Sequence, residues 1–221
     1  MPYFFAERTG DRAVIEGGDA RHLARSLRAR PGEEIQVVDP AGFLLTVRLD
    51  SVTPDLVEGM IIAEADHHPE PARTVVVAIA NLPAASLELV LSRCTEVGAA
   101  AFHVIQADRS VARGAKAERW ATICREAAML AGRLRLPDVR GPSALEDVIA
   151  TEHGAVMLAR GASSHLSDQP GAEPITLLIG PEGGWSDREL ALVSRQATLG
   201  PRNLRADTAA VVAVATALTG R

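Results

Sequence analysis

The chain has 221 residues, 47% of them hydrophobic and 23% charged, with two cysteines and a formal net charge of −5. Such a composition can bury a core, which excludes a disordered chain, and two cysteines exclude a disulfide scaffold or a four-cysteine zinc site. Residues 1–12 lack the apolar stretch of a signal peptide, and the longest uncharged runs, 74–87 and 208–220, fall short of the roughly 18 residues a membrane span needs. A soluble, cytoplasmic protein is expected, with no membrane partner.

In chain order, the first part is β-rich. Short β-prone runs at 3–5, 13–16, 34–38, 43–49 and 56–62 are punctuated by Gly17-Gly18, Pro31-Gly32, the turn at 39–42 and Thr53-Pro54. One helix interrupts them, with Asp19 as its cap and Ala20, Leu23 and Leu27 on one face. Many short strands and one small helix predict a small barrel over 1–69. A polar segment at 65–73 with two prolines reads as a linker into a second domain over 70–221.

There the pattern changes to strands alternating with helices. Strands are predicted at 74–80, 101–106, 155–159 and 175–179. Helices are predicted from a Ser86 cap to about 97, then at 116–132, 144–149, 186–196 and 207–218. Trp120, Ile123, Ala127 and Leu130 fall at helical spacing, and Cys94 and Cys124 read as core. Strands apolar on both faces and bounded by helices predict an α/β domain with a parallel sheet. The last helix is apolar nearly all round, which calls for burial in a core or against a second subunit.

Two segments carry candidate chemistry. At 177–186 a buried strand runs into Gly180-Pro181-Glu182-Gly183-Gly184, and Ser186 with Glu189 forms a capping box. Ligands in an open α/β sheet bind at the carboxyl ends of strands, where glycine lets them approach the backbone. The pattern is neither G-x-G-x-x-G nor a Walker loop, so it gives no support to a dinucleotide or nucleoside triphosphate. At 199–209, Arg202 and Arg205 stand beside a helix amino terminus, a place suited to anions. The plain reading of each segment is a capped strand-to-helix turn. No histidine or cysteine spacing suggests a metal.

Charge is unevenly distributed. Of the 23 basic residues all but Lys116 are arginine, a bias open to two causes: the base composition of a genome, or a need for guanidinium forks that grip phosphate. Residues 1–69 carry 7 basic and 12 acidic side chains, so the excess acidity sits there and the remainder is neutral. Arg21, Arg25 and Arg28 recur on one helical face, and Arg109, Arg133 and Arg202 are further candidates for phosphate contact. Arg93 and Glu96, three apart, form an expected ion pair.

The segments LLIGPEGGWSDREL and TLGPRNLRADTAAVVAVATAL, in that order near the chain end, resemble the signature of the RsmE family. These are ribosomal RNA uridine-N3 methyltransferases of the SPOUT, or trefoil-knot, class. RHLARSLRARPGEEIQVVD resembles the family's PUA-like barrel, LVLSRCTEVGAAAFHVIQADRSV the segment opening its catalytic domain, and ERWATICREAAMLAGRLRLPDV the helix and exit that follow. The resemblance implies a knotted α/β domain behind a PUA-like, RNA-binding barrel, S-adenosylmethionine as cofactor, a homodimer, and 16S ribosomal RNA of the small subunit as substrate. Three loops would hold the cofactor: Leu158, Ala159 and Gly161; Ile179, Gly180, Glu182, Gly183 and Gly184; and Leu199, Gly200, Leu204, Thr208 and Ala209.

Methyl transfer from a sulfonium to a ring nitrogen requires no metal, but the N3 proton of uracil must leave, and its pKa lies near the tyrosine value of about 10. Arg205 is the candidate for stabilising the uracil anion, and Asp207 or Glu182 for accepting the proton. The chain departs from the family pattern at Arg93, usually lysine, and at Met129-Leu130, usually Glu-Gln on a helix expected to face substrate. It departs again at Ala206 and Asp207, usually Thr-Glu. A SPOUT enzyme acting on another RNA site, or a non-catalytic RNA-binding assembly factor, are the other readings.

Overall fold

The computed structural model describes residues 2–169 and 174–219. The chain forms two compact units, one of residues 1–70 with 128–135 and the other of 71–127 with 136–221.

In the first unit, β1 (Phe4–Phe5), β2 (Glu7–Thr9), β3 (Arg12–Glu16), β4 (Glu34–Val38), β5 (Leu44–Val52) and β6 (Leu56–Ala65) form one sheet in the order β1-β4-β5-β6-β3-β2. Only β1–β4 is a parallel pair. Its two edge strands are consecutive pieces of one segment, separated by Ala6, so the sheet curls back on itself as the predicted small barrel. Register shifts between β5 and β6 at Thr46/Val47 and Leu49/Ser51 supply the bend. Alternate residues (Ala13, Ile15, Ile35, Val37, Leu45, Val47) point inward and are buried with Phe4 and Leu23.

The helical segment of this unit differs from its prediction. α1 (Gly17–Arg21) has Glu16 as N-cap with no side-chain cap bond, so Asp19 lies inside the first turn. It widens into a π-helical stretch, His22–Leu27, that ends with Arg28 in the left-handed conformation at φ 54°. The wider turn rotates the downstream residues, so Leu23 is buried while Leu27 stands exposed. Arg21, Arg25 and Arg28 therefore do not follow one α-helical stripe, although all three are exposed.

In the second unit, β7 (Val75–Ala80), β8 (Ala101–Ile105), β9 (Asp138–Ser143), β10 (Ala155–Leu158), β11 (Ile175–Ile179) and β12 (Gln196–Ala197) form a wholly parallel sheet, ordered β12-β10-β11-β7-β8-β9. β7 and β11 are buried at every position. α2 (Ala84–Val97), α3 (Ala117–Ala131), α4 (Leu145–Thr151), α5 (Asp187–Leu192) and α6 (Ala206–Thr219) complete the unit, except that α3 from Ala128 onward belongs to the first. Trp120, Cys94 and Cys124 are core, as expected, and the Arg93–Glu96 pair forms at 2.8 Å.

Several elements shift for local reasons. α2 starts after Pro83, whose fixed φ begins the helix, so Ser86 lies within its first turn rather than capping it. α5 stops at Leu192 because Val193 turns extended, and the chain continues into β12, which pairs with β10. β9, an edge strand interrupted by Gly141-Pro142, has no apolar run to announce it. Met129 is not substrate-facing: it is buried in the barrel core of the first unit, while Leu130 is exposed.

Candidate active site

Three loops at the carboxyl ends of β10, β11 and β12, with the start of α6, line an open cavity of about 520 Å³. That is within the roughly 300–1,000 Å³ of small-molecule sites. Leu158, Ile179, Leu199 and Leu204 give it an apolar wall, and Glu182, Arg160 and Arg202 give it charge. Of the sequence-predicted cofactor residues, only Thr208 does not line it; Thr208 is exposed and its hydroxyl donates to Asp207 Oδ1 at 3.2 Å.

Glycine is favoured at two points of this wall. A Cβ on Gly180 would stand 3.0 Å from the Trp185 ring, and Gly200 has φ +104°, a conformation that L side chains rarely adopt. The buried Trp185 is a residue that sequence reading missed. Its Nε1–H donates to the Leu158 carbonyl at 3.0 Å, tying the loop after β11 to the end of β10 across 27 residues of chain. No local pattern reports such a bond. Thr198, also missed, joins the other pair of loops: its N–H donates to the Ser164 carbonyl at 2.9 Å and its carbonyl accepts from Leu166 N–H at 2.9 Å. Its hydroxyl donates to the Gly200 carbonyl at 3.1 Å and holds that turn.

The candidate catalytic residues separate into two groups. Glu182 lies on the cavity wall, exposed, with no hydrogen bond or ion pair to any described residue. Arg205 and Asp207 flank cavity-lining Ala206 and pair with each other, Arg205 Nη2 to Asp207 Oδ2 at 3.0 Å. Asp207 is nearly buried and its Oδ1 accepts the Thr208 N–H at 2.7 Å, so both its oxygens are engaged. The Arg205 guanidinium is 71% exposed and reaches Ser86 Oγ at 3.4 Å.

Among the candidate RNA contacts, Arg21, Arg25, Arg28 and Arg202 are exposed and carry no ion pair among the described residues. Arg109 is exposed, and its Nη1 donates to the Gly183 carbonyl at 2.9 Å, against the wall of the cavity. Arg133 is a correction. It is buried, and its guanidinium is clamped on Glu70, with Nη2 to Oε2 at 2.6 Å and Nε to the same oxygen at 3.1 Å. Glu70 Oε1 also accepts the Leu134 N–H at 2.9 Å. Desolvating a guanidinium against a carboxylate removes it from reach of phosphate; its role is to hold 133–135 in place.

A parallel sheet whose last three loops close on one another around a cofactor-sized cavity is the architecture of the trefoil-knot RNA methyltransferases. Residues 68–218 match the model of the RNA methyltransferase domain, and residues 15–59 match that of the RNA methyltransferase PUA domain. The chain is 32% identical over 226 residues, 93% of its own length and 86% of the relative's, to ribosomal RNA small subunit methyltransferase E of Mycobacterium tuberculosis. Among solved structures, a methyltransferase from Legionella pneumophila in complex with S-adenosylmethionine superposes with a TM-score of 0.88 at 25% identity, covering 98% of this chain and 97% of that one. Ribosomal RNA small subunit methyltransferase E of Neisseria gonorrhoeae, bound to S-adenosylmethionine, gives the same TM-score at 24% identity, covering 97% and 95%, and supports the fold. The chain belongs to the ribosomal RNA small subunit methyltransferase E family.

Proposed function

We propose that this chain methylates N3 of a uridine in 16S ribosomal RNA, using S-adenosylmethionine held in the cavity at the ends of β10, β11 and β12. The observation that carries this reading is the cavity itself, built from the three loops that the family resemblance assigns to the cofactor, two of them inside the signature segments. Its size, its apolar wall and its mixed charge fit a nucleoside carrying both a carboxylate and cationic groups.

When bound, S-adenosylmethionine supplies an electrophilic methyl group on a sulfonium. The chain's part is to hold uracil N3 in line with that methyl and to offset negative charge as the N3 proton leaves. Arg205 is suited to offsetting that charge, because its exposed guanidinium is oriented by Asp207, both of whose carboxylate oxygens are already engaged. Glu182, uncommitted on the cavity wall, takes the proton or passes it to water. Arg202 and Arg109 hold phosphates beside the site, and Arg21, Arg25 and Arg28 give the barrel over 1–69 an RNA-binding face.

The active species is a homodimer in the cytoplasm. α2 and α6 pack on each other, and each leaves a large apolar side chain in solvent, Leu89 and Val212. No helix among the described residues is long and apolar enough to cross a membrane. The test is to incubate the protein with labelled cofactor and undermethylated small subunits and to map the modified nucleotide by mass spectrometry. N3-methyluridine in 16S RNA is expected; label confined to transfer RNA, or cofactor binding without transfer to any RNA, overturns the reading.

A further inference from the structure

The glycine loop after β11 is fastened to a second loop, the one that follows β8 and carries Arg109. Glu189 is fully buried, and its carboxylate does more than complete the capping box: Oε2 accepts the Ser186 N–H at 2.8 Å while Oε1 accepts the Asp108 N–H at 2.9 Å. The Asp108 side chain returns the contact, accepting the Ser186 hydroxyl at 2.5 Å and Arg188 Nη2 at 2.8 Å. Arg188 also pairs with Glu146 in the first turn of α4. Arg109 Nη1 on the Gly183 carbonyl, at 2.9 Å, is the last link, and it ends on a residue that lines the cavity. Asp108, Arg188 and Glu189 have no part in the chemistry proposed above.

Two loops joined by so many directed bonds cannot be displaced separately without orphaning a buried carboxylate or a backbone N–H. We infer that Asp108, Arg188 and Glu189 clamp the Arg109 loop to the glycine loop, so that filling the cavity and binding RNA through Arg109 are energetically coupled. Any ordering of the glycine loop by a ligand is then shared by the loop that meets RNA, and the coupling is reciprocal by linkage. The inference rests on the reading of the cavity as the cofactor site and of Arg109 as an RNA contact; Asp108, Arg188 and Glu189 act as positioning residues.

The experiment is filter binding of radiolabelled, undermethylated small subunits to the whole protein, with and without saturating S-adenosylhomocysteine. For the native chain the nucleoside should tighten RNA binding by about fivefold or more. In Asp108→Asn and Arg188→Gln that enhancement should fall below about twofold, while affinity for the nucleoside alone changes little. Arg188→Lys should recover part of it. Asp108 and Arg188 side chains are 38% and 54% exposed, so these substitutions open no core. In turnover assays the KM for RNA should rise more than kcat falls. Undiminished enhancement in both variants overturns the clamp, as does a native chain that binds both partners without mutual enhancement. A native chain that does not bind S-adenosylhomocysteine overturns the cofactor reading instead, and the coupling with it.

Discussion

At the scale of single residues, the site depends on which carboxylates are free and which are engaged. Asp207 is held by Arg205 and by its own helix, whereas Glu182 faces the cavity without a partner among the described residues. Arg205→Ala should therefore lower turnover by roughly 10²–10³-fold, the usual cost of removing one donor to a developing anion, with cofactor affinity nearly unchanged by calorimetry. Full turnover in that variant would show that Arg205 has no such role. Asp108 illustrates engagement of a second kind. Its hydrogen bonds from Arg188, and secondarily from the Ser186 hydroxyl, hold its carboxyl below the ordinary aspartate range. The contribution to stability is present above the unfolded pKa and is lost as pH falls through the depressed folded value. The stability gap between the native chain and Asp108→Asn should thus narrow in urea titrations as pH drops below about 4. A gap independent of pH would mean that the ion pair contributes nothing. Burial raises the Cys94 thiol to about 12, which keeps it protonated and unreactive in the folded chain.

At the scale of elements, neighbouring structure overrides several local signals. The helix signal at 186–196 holds for its first half, where Ser186 and Glu189 complete the capping box, but β10 offers a pairing edge and draws 196–197 into the sheet. The helix carrying Arg21, Arg25 and Arg28 has good α-periodicity, yet a π-turn intervenes, which no spacing rule anticipates. For α6, small size rather than a one-sided apolar stripe decides the packing: Ala210, Ala213 and Ala217 allow close approach, while Val212 is left outside. If that outer face pairs with a second copy, Val212→Glu should convert a dimer to a monomer in sedimentation velocity. An unchanged dimer would place the interface elsewhere.

At the scale of the whole molecule, the charge of −5 is no argument against an RNA partner, because the acidic excess lies in residues 1–69 and the remaining chain is neutral. Binding through local arginines is the proposal that this distribution of charge leaves open. If Arg21, Arg25, Arg28, Arg109 and Arg202 each meet a phosphate of single-stranded RNA, affinity should fall with salt at a log–log slope of about −3 to −4. Each arginine-to-alanine change should then reduce the slope by about 0.7, whereas Arg133→Ala should leave the slope alone and lower stability. A slope unaffected by the exposed arginines would remove them from the interface.

The fold class, the glycine loops and the capping box are legible in the sequence because each is written locally: apolar strands buried on both faces, glycine at strand ends, a serine three residues before a glutamate. The family resemblance supplies the knot and the reaction, which periodicity cannot express. Tertiary structure alone decides which charged residues are available for function. Arg133 and Arg202 look alike in sequence, but one is clamped on Glu70 and the other lies open at the cavity. Trp185, Thr198, Glu189 and Asp108 likewise take their roles from partners distant in the chain. The physical reason is the same in each case: helical and strand periodicity are properties of consecutive residues, whereas desolvation and hydrogen-bond pairing depend on what the fold brings opposite a side chain.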